Sequence, residues 1–163
     1  MAGKSFELRK HQDEVREIKQ NIEAKKTEAA QFEKKKEELL GAMTEISGAK
    51  LDEGVLETVK DMINSALEEN REQAEKTSSE MNEDISRLEN IKQETEESIE
   101  DAQKNKESLN QKQKILEKIN AGGVLENAVQ EIDTNLQELE SFNNETIETM
   151  REAEKVASSL SGL

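Results

Sequence analysis

The sequence predicts an all-α protein of long antiparallel helices, a coiled-coil-like three-helix rod made of two overlapping helical hairpins. Three observations lead there. The chain has no proline in 163 residues, and proline breaks helix interiors by removing a backbone donor and clashing with the preceding turn. Apolar residues recur at alternating three- and four-residue steps through whole segments, the signature of a helical seam. Glycines cluster at Gly41, Gly48 and Gly54 and again at Gly122 and Gly123, cutting the chain into three.

The helices are expected at roughly 4–46, 54–119 and 123–160, with turns near 47–54 and 120–123, as one elongated domain over 1–163. Segment one holds two interleaved heptad series, Leu8, Val15, Ile22, Ala29, Lys36, Met43 and His11, Ile18, Lys25, Phe32, Leu39, Ile46. Nine of these twelve are apolar, which is a seam of coiled-coil type. Segment three runs Leu125, Val129, Ile132, Leu136, Leu139, Asn143, Thr146, Met150, Ala153, Ala157, Leu160, with nine of eleven apolar.

Segment two is less regular. Leu56, Val59, Ile63 and Leu67 keep one register, and Ile85, Leu88, Lys92, Thr95, Ile99, Ala102, Lys106, Leu109, Gln113 and Leu116 keep another. Asn70, Ala74, Thr77 and Met81 between them are weak seam residues, and the phase slips by extra four-residue steps, a stutter that unwinds a supercoil locally. Thr77-Ser-Ser-Glu80 also has the form of a capping box that would start a new helix. A continuous helix is favoured because no Gly or Pro interrupts the stretch; a bend near 77–84 would give a shorter four-helix bundle.

An internal repeat marks both turns. Gly54-Val-Leu-Glu57 recurs as Gly123-Val-Leu-Glu126, and seven of sixteen positions from 54 to 69 are identical at that offset of 69. Chance similarity between low-complexity helices is one reading; duplication of a helix–turn–helix unit is the other, and the position at both turns favours it. Short turns make antiparallel neighbours. Helix one should therefore pair with helix two at residue numbers totalling about 101, and helix three with helix two near 242, with all three overlapping around 82–97. At ~1.5 Å per residue the rod is on the order of 100 Å long.

Composition narrows function. Charged residues make up 37% of the chain and hydrophobic ones 32%, with only Phe6, Phe32 and Phe142 as aromatics, so thin aliphatic seams replace a bulky aromatic core. The net charge of −15 is uneven: 4–46 carries ten basic and ten acidic residues, 54–119 ten and seventeen, 123–163 two and nine. Such a field repels phosphate backbones and anionic lipids, so neither nucleic acid nor membrane insertion is expected. There is no cysteine, which excludes disulfides and leaves the compartment open. The N-terminus lacks an apolar run and no stretch approaches ~20 apolar residues, so the expected location is cytoplasmic, or outside the cell by a route without a cleaved signal.

Chemistry-bearing patterns are few. His11, the single histidine, has Glu7 and Glu14 at helical spacing, but a catalytic zinc takes three protein ligands and the pattern reads as a charged helix. The runs Glu94-Thr-Glu96-Glu97 and Glu100-Asp101 lack the loop and glycine of a calcium hand and read as a solvated face. Gly3-Lys4-Ser5 lacks the rest of a phosphate-binding loop. No base stands beside a nucleophile, and paired carboxylates need a cleft to separate their roles. No catalytic, cofactor or metal residue, no cofactor and no small-molecule substrate is therefore expected. Among the polar seam residues, Lys25, Lys36, Lys92 and Lys106 read as long stems reaching out of a partly open seam. Asn143, flanked by Phe142 and Ile147, fits that reading or the setting of register by a buried polar side chain.

A helix, a glycine-containing turn after an apolar residue, and an antiparallel helix resemble the WXG-motif hairpin proteins and their LXG relatives of type VII secretion. Ile46-Ser47-Gly48 stands where that motif would be, and Ile119-Asn120-Ala121-Gly122 stands at the second turn. The chain departs from the family in having Ile for Trp and no Tyr, with Phe142 followed four residues later by Thr146 in place of an acid. The resemblance implies a secreted or secretion-associated helical protein that binds a cognate helical protein. From the residues themselves the expectation is a non-catalytic scaffold or adaptor whose partner is a helical protein or a second copy. Leu40, Ile91, Ile115, Phe142, Ile147 and Val156 lie outside the seams and would form a second, weaker apolar face.

Overall fold

The structure, a computed structural model, describes residues 6–163. It is all-α: α1 spans Leu8–Gly48, α2 Glu53–Glu117 and α3 Glu126–Ser161, the last led in by a 3-10 turn at Gly122–Leu125. These bounds follow the expected segments closely; the expected start at residue 4 and Gly3-Lys4-Ser5 lie outside the described residues.

α2 is continuous for 65 residues. The Thr77-Ser-Ser-Glu80 stretch lies mid-helix and its hydroxyls do other work. Thr77 donates to the Gln73 carbonyl at 3.1 Å, and Ser78 donates across to the Ala157 carbonyl of α3 at 3.1 Å. The expected phase slip is also absent. Asn70, Ala74, Thr77, Met81, Asp84, Leu88, Ile91 and Thr95 are all buried and alternate steps of four and three without a break. Ile85, Lys92 and Ile99, read as the seam, are half-buried flanks of that row. A middle helix with a neighbour on each side buries a stripe wider than one seam, and two overlapping registers look like a stutter when only one is followed.

The packing of the described residues divides into two compact units, one of residues 6–16 with 87–150 and the other of 17–86 with 151–163. In the second unit α1 and α2 run antiparallel. Asn21 donates to Asp84 at 3.4 Å, Lys25 to Glu80 at 3.1 Å, and Asn70 to the Phe32 carbonyl at 3.1 Å. These pairs total 105, 105 and 102, near the expected 101. The core holds Ile18, Ile22, Ala74 and Met81 of the hairpin with Ala153, Val156, Ala157 and Leu160 of α3. In the first unit Glu14 meets Arg87 at 3.5 Å and Lys106 pairs with Asp133. There Ala102, Leu136 and Leu139 form a cluster with Phe6, Leu8, Ile99 and Ile132 packed against it.

Against the expected 242, the Lys106–Asp133 and Ser78–Ala157 pairs total 239 and 235. The reversal comes early. α2 stops at Glu117, and Asn120 takes the left-handed conformation at φ 59°, where a short polar side chain is tolerated. The Ala121 amide then bonds the Leu116 carbonyl at 2.8 Å, which satisfies an orphan carbonyl at the helix end. The early reversal carries the last turns of α3 past residue 82 of α2, to the level of Ser78.

Glycine is required at one turn position. A Cβ on Gly122 would stand 2.6 Å from Glu117 Cγ, whereas Gly123 has open space. Gly122→Ala should therefore cost about 1–3 kcal/mol by displacing the Glu117 side chain from the turn, and Gly123→Ala less than about 0.5 kcal/mol. Urea unfolding of the two variants checks this; equal midpoints would mean the turn is not built this way.

Buried polar groups are mostly matched. Thr95, Thr146 and Thr149 donate to carbonyls four residues back at 2.6, 3.0 and 2.7 Å, a local bond that lets a hydroxyl sit on a buried face. The oxygens Asn70 Oδ1 and Asn143 Oδ1 are buried without a partner. Of the seam lysines, Lys25 and Lys106 reach carboxylates on the neighbouring helix and Lys92 reaches Glu96 at 3.7 Å on its own; long stems crossing a half-open seam behave this way.

Candidate functional site

Two places have the geometry of a site. The first is a groove of about 960 Å³ in the first unit, lined among others by Phe6, Lys10, His11, Glu14, Arg87 and Glu94. His11 is placed there by its seam position on α1. Its Nε2 lies 2.8 Å from a Glu94 oxygen and its Nδ1 3.6 Å from Glu14. The Phe6 ring is tilted against it at 4.9 Å between centroids. Glu7, the other carboxylate of the expected helical pattern, also lines the groove. Glu97 and Asp101 join Glu94 there, but among the described residues no group of three or more His, Cys, Asp or Glu converges to hold a metal ion. The carboxylates of this acidic face spread along α2 and do not turn inward together.

The second is the tip of the α1–α2 hairpin in the second unit. Where α3 lies alongside, seam residues are buried. Beyond its end only Ile63 and Asn70 are, while Ala29, Phe32, Leu39, Met43, Ile46, Leu56, Val59 and Leu67 are half-buried. Large apolar side chains stand in the open at the same tip: Met62 is 66% exposed, Val55 49%, Leu40 47% and Leu51 45%. A two-helix seam covers each side chain from one direction only, so apolar residues on the outer faces of the hairpin stay in water. The tip of the α2–α3 hairpin repeats the pattern with Ile115, Ile119 and Val124 exposed. Val55 and Val124 are equivalent residues of the internal repeat, and both are exposed.

The surface of the first tip is charged around the apolar residues. Arg71 bridges Glu68 and Glu75 on α2. Its hydrogen bonds hold the Glu68 carboxyl below its ordinary value, and the pair in turn raises the guanidinium. A carboxyl held low favours the fold above its unfolded value and loses that contribution as pH falls, but an exposed pair contributes little.

The expected second apolar face is corrected by these positions. Ile91, Phe142 and Val156 are buried and Ile147 half-buried; only Leu40 and Ile115 stand open. The three-helix stretches bury more than one stripe per helix and absorb them. Met62 and Val55, which do stand out, lie seven residues apart on α2 beside the seam of Leu56, Val59 and Ile63.

No described helix is long and apolar enough to cross a membrane. Compared with known proteins, the chain matches no family model, no curated protein and no solved structure.

Proposed function

We propose that the protein is a non-catalytic helical scaffold or adaptor that works by helix–helix contact, through hairpin tips whose seams are left half-open. One observation carries this reading: the heptad seam that is buried beside α3 continues past it only half-buried, and beside it Met62, Val55, Leu40 and Leu51 stand in water. Large apolar side chains held in water along a half-open seam are the mark of an interaction surface. The test is cross-linked capture from the native cell with the full chain and with a Val55→Glu, Met62→Glu variant. The captured helical protein is then purified and its binding measured. The variant should bind at least ten times more weakly, since two apolar contacts become desolvated charges. Undiminished binding, or binding lost only through the His11 groove, would move the function elsewhere.

A second reading is a type VII secretion-associated hairpin protein, either substrate or targeting partner. It is favoured by Ile46-Ser47-Gly48 closing α1 four residues before α2 begins. Export of the tagged chain from a cell with that system, lost when the system is deleted, supports it; retention in both cells removes it.

A further inference from the structure

We propose that the α1–α2 tip binds a second copy of this chain, two hairpins stacking about a two-fold axis parallel to the helices to make a four-helix bundle. The proposal rests on the reading of the tip as an interaction surface and names its occupant.

The level of the hairpin is fixed by the bonds Asn21–Asp84, Lys25–Glu80 and Phe32–Asn70. The α1 row that continues Asn21 at seven-residue steps is Glu28, Lys35, Ala42. It borders the same face as the α2 row that continues Glu80 backwards, Gln73, Ala66, Val59. One step outward on that face, three residues on, stand Lys76, Glu69 and Met62. α3 approaches α2 at Ser78, about 160–180° around the helix from that row, so it leaves this face open.

An axis parallel to the helices keeps each residue at its own level and lays α1 of one copy over α2 of the other. Glu28 then meets the level of Lys76 in the other copy, Lys35 that of Glu69, and Ala42 that of Met62. All three pairs total 104, inside the range of 102 to 105 set by the bonds within the hairpin. Each pair is complementary: acid on base, base on acid, small apolar on large apolar. Glu28, Lys35, Glu69 and Lys76 are all exposed. None of the four makes an ion pair within its own chain among the described residues. A two-fold interface uses one patch against itself and so needs both halves of every pair on the same surface; this face has them in register. An unrelated partner would have no reason to match the charges of α1 to those of α2 at equal levels.

Sedimentation equilibrium of the full chain at low and high salt reads the result. The wild type should approach twice the monomer mass. The Glu28→Lys, Lys35→Glu variant and the Glu69→Lys, Lys76→Glu variant keep the net charge, and each should dimerise at least ten-fold more weakly. Mixing the two variants puts like-for-unlike charges back across one interface and should restore a heterodimer. A chain without cysteine also allows a clean cross-link: Ala42→Cys mixed with Met62→Cys should form an intermolecular disulfide. A wild type that stays monomeric, a dimer indifferent to both swaps, or variants that fail to rescue each other overturns the proposal. If the chain is monomeric yet a different helical protein binds the tip and is lost with Val55→Glu, Met62→Glu, the scaffold reading stands and only the second copy is removed. If neither binds, both fall.

Discussion

Ile18→Asp is expected to unfold the second unit at room temperature, or to lower its stability by on the order of 5 kcal/mol. Ile18 is 0% exposed, in a core it shares with Ile22 and Met81. The loss has two parts. Deleting a buried aliphatic side chain costs about 2–5 kcal/mol through lost transfer energy and an unfilled cavity. A carboxylate placed there has no cation beside it and either stays charged at several kcal/mol or takes up a proton at a further cost. Against a total of roughly 5–15 kcal/mol for a domain, that is most of the margin. Lys34→Asp, on the exposed side of the same helix, should change stability by no more than about 0.5 kcal/mol. Glu94, also exposed and off the seam, would not serve as a control, because its carboxylate sits 2.8 Å from His11 Nε2. Circular dichroism during urea unfolding gives both values. Equal effects from Ile18→Asp and Lys34→Asp would mean that the α1 register is wrong.

The seams of α1 and α3 were legible in the sequence because each has one line of contact and the heptad follows it. Every one of the twelve expected α1 positions and the eleven α3 positions is buried or half-buried. The α2 seam was read less well for a physical reason: α2 has two neighbours. Asn70, Thr77 and Asp84 look like failures of a hydrophobic pattern, yet they are at most 8% exposed. They tolerate burial through Asn70's bond to Phe32, Thr77's to Gln73 and Asp84's contact with Asn21, and a pattern of apolar residues does not record hydrogen bonds. The turns were located by glycine, but the residue that takes the left-handed conformation at the second turn is Asn120, and Gly122 is needed there for space. The candidate surface was half legible. Exposed apolar residues were expected, yet which ones depends on which side of each helix its neighbours cover: Ile91, Phe142 and Val156 are buried, while Met62 and Val55 stand open.

Phe142→Ala is expected to cost about 3–5 kcal/mol, the range for removing a buried aromatic ring. The heptad of α3 runs through Leu139, Asn143 and Thr146 and leaves Phe142 beside it, so a two-helix seam would expose the ring. In the first unit Phe142 is 2% exposed, and the neighbouring Thr149 and Leu139 are equally covered. α3 therefore buries more than its heptad line along this stretch, and the ring is the largest buried side chain of a unit whose other buried apolar residues are aliphatic. Phe32 is the control. It lies on the α1 heptad, where the sequence alone would rank it the more important ring, but at the tip it is only half-buried. Phe32→Ala should cost roughly half as much or less, since the transfer term scales with the apolar area taken from water. Both variants should shift the urea midpoint without changing the slope if the helices keep their packing. The comparison belongs at a protein concentration low enough to keep tips apart, because a second copy over the tip would bury Phe32 further and raise its cost. A Phe32→Ala loss equal to or larger than that of Phe142→Ala under those conditions would mean that α3's inward face is its heptad line alone and that Phe142 points to solvent.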